Sequence, residues 1–341
     1  MPVSNREVNM AGEALVNWRG GDNEELFDSS FDKVFAFRAT HAYPLRVSST
    51  ILGQRADKID PEANVYSRIK RVSSIISKLR RIRTMQVTTM HDLGGCRAVV
   101  NTIDHVNELA RQFREIKPRL DDPKEYNYIE SPKPDGYRSI HFVVKYKSNH
   151  PKYVHLPSRR VELQIRSQLQ HKWATALETI DLFTEQTLKS GGGAHYWKRF
   201  FVLTSSLFAL QEHCPVVPNS VTNYNELVQE ARGLWNGLRI RDQFDGWITA
   251  TQVSIPRDHG TNAMYLIEVD TEKKTTGVKV FANVVQAYSE YGETEKKNQF
   301  IQGRTAVLVS TGKIDRIRNA FPSYYGDTKD FLNEVERIVR L

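Results

Sequence analysis

Apolar and polar positions in this chain follow two periods. Over Tyr66–Arg83, the residues Ile69, Val72, Ile76, Leu79 and Ile82 recur at helical spacing. That spacing predicts one amphipathic helix, with Arg68, Lys70, Arg71, Lys78, Arg80, Arg81 and Arg83 largely off the apolar stripe. Ile103–Phe113 repeats the pattern with Ile103, Val106, Leu109, Ala110 and Phe113 inward. Shorter apolar runs read as strands: Ala98–Val100 after the turn Asp92–Arg97, then Ser139–Tyr146 and Val161–Ile165. Ser167–Leu188 reads as a long helix that starts on a serine cap and is broken at Gly191–Gly193. Ala194–His213 is another helix, rich in Trp197, Phe200, Phe201, Leu203, Leu207 and Phe208. The first fifty residues are mixed: Glu13–Trp18 and Phe31–Arg38 read as helical and His41–Leu45 as a break.

The segment Cys214–Ser220, with two prolines, marks a boundary. Beyond it the pattern gives a helix over Asn225–Leu238 and strands at Gly246–Ser254, Ala263–Val269, Gly277–Phe281 and Thr305–Ser310. Ala282–Tyr291 reads as helical, and Phe331–Leu341 as a terminal amphipathic helix. The expected fold class is therefore α/β (α+β): a mixed-sheet domain with helical flanks over residues 1–215, and a smaller accessory α+β domain over 216–341.

Composition changes this picture in one respect. Hydrophobic residues make up 40% and charged residues 26% of the chain, which is ordinary for a globular protein. No apolar run is long enough to span a membrane, and the N-terminus lacks a basic-then-apolar leader, so a cytoplasmic location is expected. Two distant cysteines, Cys96 and Cys214, make neither a disulfide framework nor a zinc site. The net charge of +8 is unevenly placed. Residues 61–120 hold 12 basic and 5 acidic side chains, and residues 121–200 hold 13 and 9. A field concentrated there favours polyphosphates or a nucleic-acid backbone; the plainer reading is a solvated basic surface.

The stretch Tyr128–His141 lies inside that field. Pro132 and Pro134 bracket Lys133 on a stiff backbone, Asp135-Gly136 is a turn dipeptide, and Tyr137 stands at the mouth of a strand. A pinned ring beside Lys133, Arg138 and His141 suits a stacked base with its phosphates; alternatively, the tyrosine packs on the core. Asp92 and Glu162 each fall at the edge of a predicted buried strand, where a carboxylate is costly unless it is paired or binds a cation. Two such carboxylates beside lysines and arginines suit Mg²⁺ on a nucleotide, and Arg166 adds a further cation. Salt bridges and helix capping are the structural alternatives.

Four segments in order resemble the RelA/SpoT-type synthetase family, which makes the alarmones (p)ppGpp. These are Arg68-Ile-Lys70 with Ser74 and Lys78; His91–Arg97; Tyr128–His141; and Val161–Arg166 followed by His171–Ala174. The resemblance covers roughly residues 40–210 and implies roles. Arg68, Lys70, Ser74, Lys78 and Arg97 would hold ATP. Asp92 would bind Mg²⁺, and Glu162 would share the ion or activate the attacking hydroxyl. Tyr137 would stack on the acceptor base, with Lys133, Arg138, His141, Gln164 and Arg166 around it. The implied reaction moves the β,γ-pyrophosphate of ATP to a ribose hydroxyl, with AMP leaving. Asp135 stands where the family usually has asparagine, and both suit the turn.

A fused C-terminal domain resembles the CapRel group of toxic synthetases, which implies a tRNA 3′ end as acceptor, restraint by the chain's own C-terminal domain, and release by a phage capsid protein. Phe321 and Tyr324, with Tyr325 beside them, lie where that group carries a Tyr-x-x-Tyr inhibitory element. The alternatives are a (p)ppGpp synthetase acting on GDP or GTP with a regulatory C-terminal domain, and a catalytically dead nucleotide or RNA sensor.

Overall fold

A computed structural model of the chain describes residues 3–19, 23–115, 120–146, 158–183, 195–237, 240–241, 244, 264–270, 273, 275–298, 301, 304–310 and 328–340. Three helices come first: α1 (Asn5–Asn17), α2 (Glu24–Ala39) and α3 (Ala42–Ile59). The first two are more regular than the mixed pattern suggested, because polar caps start them. Ser4 and Glu7 form a reciprocal capping box on α1, and Asn23 accepts from the Leu26 amide at the start of α2. The break expected over His41–Leu45 is confined to Thr40 and His41; Pro44 lies in the first turn of α3, where a missing N–H is tolerated.

The strands are β1 (Asn64–Ile69), β2 (Gly94–Val100), β3 (Leu120–Asn127), β4 (Ile140–Tyr146), β5 (Arg159–Ser167), β6 (Met264–Asp270), β7 (Thr275–Phe281) and β8 (Arg304–Ser310). They form one sheet in the order β3-β4-β5-β2-β1-β8-β6-β7. The β2–β5 pair is parallel and the other pairs are antiparallel, so the sheet is mixed. The remaining helices are α4 (Val72–Arg81), α5 (Ile103–Arg114), α6 (Gln168–Phe183), α7 (His195–Gln211), α8 (Tyr224–Gly237), α9 (Val284–Asn298) and α10 (Lys329–Val339).

One expectation is corrected. Tyr66–Arg83 is not a single helix: Asn64–Ile69 is a strand, and only Val72–Arg81 is helical. The first segment pairs with β2 along its whole length and meets β8 at Arg68 opposite Val309. Ile69 is buried in either period, so its position could not separate the two. Pairing with distant strands overrode the local repeat. Within α4, Ile75 joins Val72, Ile76 and Leu79 on the buried side. Strand β3 carried no clear signal in the sequence. The predicted strand at Gly246–Ser254 lies outside the described residues.

One face of β2, β4 and β5 packs Cys96, Ala98, Ile140, Phe142, Val161, Leu163 and Ile165 against α3 and α5. A second core gathers α1, α2 and α4 around Phe31, Val34, Ile75 and Val87. A third joins α6, α7, α8 and α10 around Trp197, Phe200, Phe201 and Phe331. The β6–β8 strands pack on α9 through Leu266, Leu308, Ala287 and Tyr291.

Candidate active site

The period of two that buries Leu163 and Ile165 turns Glu162, Gln164 and Arg166 to the opposite face. The register then lines up polar neighbours. Gln164 lies between Arg97 on β2 and His141 on β4, and Arg97 lies beside Tyr66 on β1. One rung on, Glu162 lies beside Gly95, which lies beside Arg68. Gly95 has no side chain to fill the gap between Glu162 and Arg68. A cleft of about 90 Å³ opens here, walled by Arg68, Lys70, Asp92, Arg97, Glu162 and Gln164 among others. Two carboxylates far apart in sequence thus share one wall, and the Asp92 charge is felt at Glu162.

Each carboxylate is already held. Asp92, in the turn before β2, pairs with Lys70 Nζ at 3.0 Å and with Lys78 Nζ at 2.9 Å. Burial pushes its carboxyl up, but the two ammonium groups outweigh this and hold it well below the usual carboxylate range. Lys70 follows β1 and Lys78 sits on α4, one turn after the half-buried Ser74. The Lys70 amide donates to the Leu93 carbonyl at 2.8 Å, which joins the two segments.

Glu162 sits in a closed ring of hydrogen bonds. His141 Nδ1 lies 3.2 Å from Oε1, and Gln164 Nε2 donates to Oε2 at 2.8 Å. On the other side of the imidazole, Nε2 lies 2.7 Å from the Tyr137 hydroxyl. Arg166 Nη2 donates to that hydroxyl at 2.6 Å and to Gln164 Oε1 at 2.9 Å. Burial pushes the His141 imidazole below its ordinary value, so it is neutral at pH 7. The donors then run one way: Arg166 to Tyr137, Tyr137 to Nε2, and Nδ1–H to Glu162. Burial works against the Glu162 charge, but these bonds keep it ionised, with a pKa of about 2.

Tyr137 itself is clamped. Lys133 Nζ lies 4.9 Å and Arg166 Cζ 5.0 Å from its ring centroid, and Lys133 Nζ lies 4.2 Å from the Tyr128 ring. The loop before it is set by local bonds: Asp135 Oδ1 accepts from the Tyr137 amide at 2.9 Å, as an asparagine oxygen would, and Gly136 N donates to Lys133 O at 2.9 Å. Burial pushes the Lys133 ammonium down.

Arg97 and Arg166 carry buried N–H groups without acceptors among the described residues. Burial, with Arg166 and Arg68 nearby, lowers the pKa of Arg97 to about 10, so it stays charged at pH 7. Its Nε is buried with no hydrogen-bond partner among the described residues, and so are Nε and Nη1 of Arg166. Buried guanidinium N–H groups facing other cations are costly unless an anion meets them.

Arg138 departs from its expected place at the acceptor. It lies in the segment before β4, where Nη1 donates to Glu212 at 3.2 Å and Nε to Ser205 Oγ at 3.3 Å. Glu212 also accepts from Ser167 and Gln170, so Arg138 belongs to a buried network that fixes α7 to the end of β5. Phe321, Tyr324 and Tyr325 lie outside the described residues. Reasoning from the sequence missed Tyr66, which lines the cleft and stacks on His171 at 6.3 Å. Its neighbour Arg68 was the only signal. Among the described residues, no group of three or more His, Cys, Asp or Glu is gathered as a metal cage. A two-carboxylate set fits a Mg²⁺ that brings its remaining oxygens with a nucleotide, since this ion keeps water and phosphate ligands.

Known proteins resemble this chain over part of its length. The family profile described as "Region found in RelA / SpoT proteins" matches residues 67–181, which include Arg68, Lys70, Asp92, Arg97, Glu162 and Gln164 of the cleft wall but not Tyr66. An uncharacterised Mycobacterium tuberculosis protein is 30% identical over 181 residues, covering 52% of this chain and 59% of that protein. GTP pyrophosphokinase YwaC of Bacillus subtilis is 30% identical over 125 residues, covering 34% of this chain and 56% of that one. This chain therefore spans less than two thirds of the length of the curated relatives it matches. Among solved structures, small alarmone synthetase 1 from Bacillus subtilis aligns with TM-score 0.45 and 23% identity, covering 53% of this chain and 93% of that chain.

Proposed function

We propose that this chain, through its RelA/SpoT region, is a pyrophosphotransferase that moves the β,γ-pyrophosphate of ATP to the ribose 3′-hydroxyl of GDP or GTP. The observation that carries the reading is that Asp92 and Glu162 share one cleft with Arg97, whose buried Nε has no hydrogen-bond partner among the described residues. Two Bacillus subtilis relatives named GTP pyrophosphokinase are 30% identical over 125 residues and 32% identical over 130 residues of this chain, which supports a guanine nucleotide as acceptor.

In this reading Arg68, Lys70, Ser74, Lys78 and Arg97 hold the ATP, and Lys70 and Lys78 exchange Asp92 for phosphate oxygens as the nucleotide enters. Asp92 and Glu162 hold Mg²⁺, which when bound neutralises charge on the transferring phosphates. Lys133, Tyr137, His141, Gln164 and Arg166 shape the acceptor side. With its pKa near 2, Glu162 is a weak base. It orients the acceptor hydroxyl more than it strips the proton early, which suits a loose phosphoryl transition state. Most of the work is positioning and charge neutralisation.

A second reading is favoured by the charge distribution. Arg80, Arg81 and Arg83 are exposed or partly exposed beyond the cleft, and a basic face of this kind suits a tRNA acceptor stem. The toxin-like role, restraint by residues 216–341 and release by a phage capsid protein rest on the resemblance alone.

Incubating the full chain with ATP labelled on its terminal phosphates, separately with GDP and with tRNA, tests the proposal. Labelled guanosine product with release of AMP is expected, and Asp92→Ala should slow it by about a hundredfold or more. Label on tRNA alone would establish the second reading. No AMP with either acceptor would leave the sensor.

A further inference from the structure

Helix α4 starts without a cap of its own. Arg71 at its N-cap makes no side-chain capping bond. Instead the carboxylate of Glu295, on α9 and 223 residues away, accepts from the Val72 amide. The other oxygen of Glu295 pairs with Arg38 of α2 at 2.8 Å. Arg38 Nη1 donates to the Lys70 carbonyl at 3.0 Å. One buried ion pair thus grips the peptide groups on both sides of Arg71. The pair is deeply enclosed: side-chain exposure is 1% for Arg38 and 4% for Glu295. The guanidinium stacks on Phe35 at 4.4 Å and Tyr291 at 4.7 Å.

The gripped segment leads directly into the cleft. Lys70 reaches Asp92 through its side chain, and Lys78 reaches it from the same helix that Glu295 caps. Arg68, on the strand just before, lines the cleft and meets β8 opposite Val309. Neither Glu295 nor Arg38 lines the cleft, so the pair acts on it through the backbone. A carboxylate at a helix N-terminus satisfies an otherwise orphaned amide and complements the dipole.

We infer that Glu295 and Arg38 are positioning residues for the ATP side of the site: α9 caps α4 from the C-terminal part of the chain and sets where Lys70 and Lys78 point. This rests on the assignment of the cleft to ATP in the preceding subsection.

The test uses the full chain. An α,β-methylene analogue of ATP and, separately, GDP are titrated against wild type, Glu295→Gln and Glu295→Asp, with thermal unfolding and amide hydrogen exchange over α4. The variants are expected to bind the ATP analogue roughly tenfold more weakly, with GDP affinity unchanged and faster exchange in the first turn of α4. If Glu295→Gln does not fold, Glu295→Asp carries the same test, since it keeps the charge and withdraws it by one methylene. Lys296→Ala, which sits next to Glu295 on α9 and removes an ion pair to Asp28 of α2, should change neither affinity. Undiminished or tighter ATP-analogue binding in a folded variant, or an equal loss for both nucleotides, would overturn the inference alone. A wild type that binds GDP but no ATP analogue would overturn the assignment of the cleft and this inference with it.

Discussion

Gly136 has φ +94°, and a methyl group there would come within 2.9 Å of Trp173 and 3.0 Å of Ser205. Its carbonyl accepts from Ser205 Oγ at 2.5 Å, so the loop that presents Tyr137 is pressed directly onto α7. Gly136→Ala should destabilise the protein by roughly 2–4 kcal/mol through combined backbone strain and overpacking, measured by urea unfolding. His41 is a second residue whose environment sets a measurable property. It is buried, its Nδ1 lies 3.2 Å from the Arg38 carbonyl, and burial with Arg159 nearby lowers its pKa from 6.5 to about 4. Between these values the unfolded chain binds a proton that the folded chain refuses, so stability falls as pH drops from about 6.5 to about 4. The loss from this group should reach roughly 2 kcal/mol at pH 5, and His41→Gln should flatten that slope in urea titrations. Glu162 adds to it below its ordinary range, because its depressed pKa is stabilising only while it is ionised.

At the scale of elements, what the pattern could and could not reveal depends on where each partner lay. The helices α5, α7, α8 and α10 follow the predicted spans closely because their buried apolar residues lie within single continuous segments, at helical spacing in α5, α8 and α10 and around most of α7. The β1–α4 segment was misread because its pairing partners, β2 and β8, lie far away in sequence. The roles of Arg38 and Glu295 were hidden for the same reason, although a signal existed. Glu295 falls on the stripe of Ala287 and Tyr291, and Arg38 on that of Phe31 and Val34. A charge on an apolar stripe implies a buried partner, but not which one. In the third core, Phe331 of α10 stacks on Phe201 with centroids 5.8 Å apart and touches Phe200 and Phe208 edge-on. Phe331→Ala should cost about 3–5 kcal/mol and loosen α10 first, seen as faster amide exchange over Lys329–Val339.

At the scale of the whole molecule, the boundary proposed at residues 215/216 is crossed by packing and by charge. The α6–α7 core is completed by α8 and α10, and buried Arg38 is neutralised by Glu295. A chain of residues 1–215 alone should therefore melt well below the full chain or aggregate, since it exposes apolar surface and leaves a buried cation unpaired. Circular dichroism melting checks this. A cooperative transition at the full-length temperature would show that residues 1–215 fold independently, and growth inhibition by that piece would then bear on restraint by the remainder.

Residue order alone specified the chemistry present: which cations, carboxylates and aromatic rings occur, and the turn that carries Tyr137. Local motifs hold such information because caps, turns and strand alternation act over a few positions. Folding decided which of those groups meet. It set Glu162 beside His141 and not beside an arginine, sent Arg138 away from the cleft, and brought Glu295 to the start of α4, because those contacts depend on strand register and helix packing over hundreds of residues.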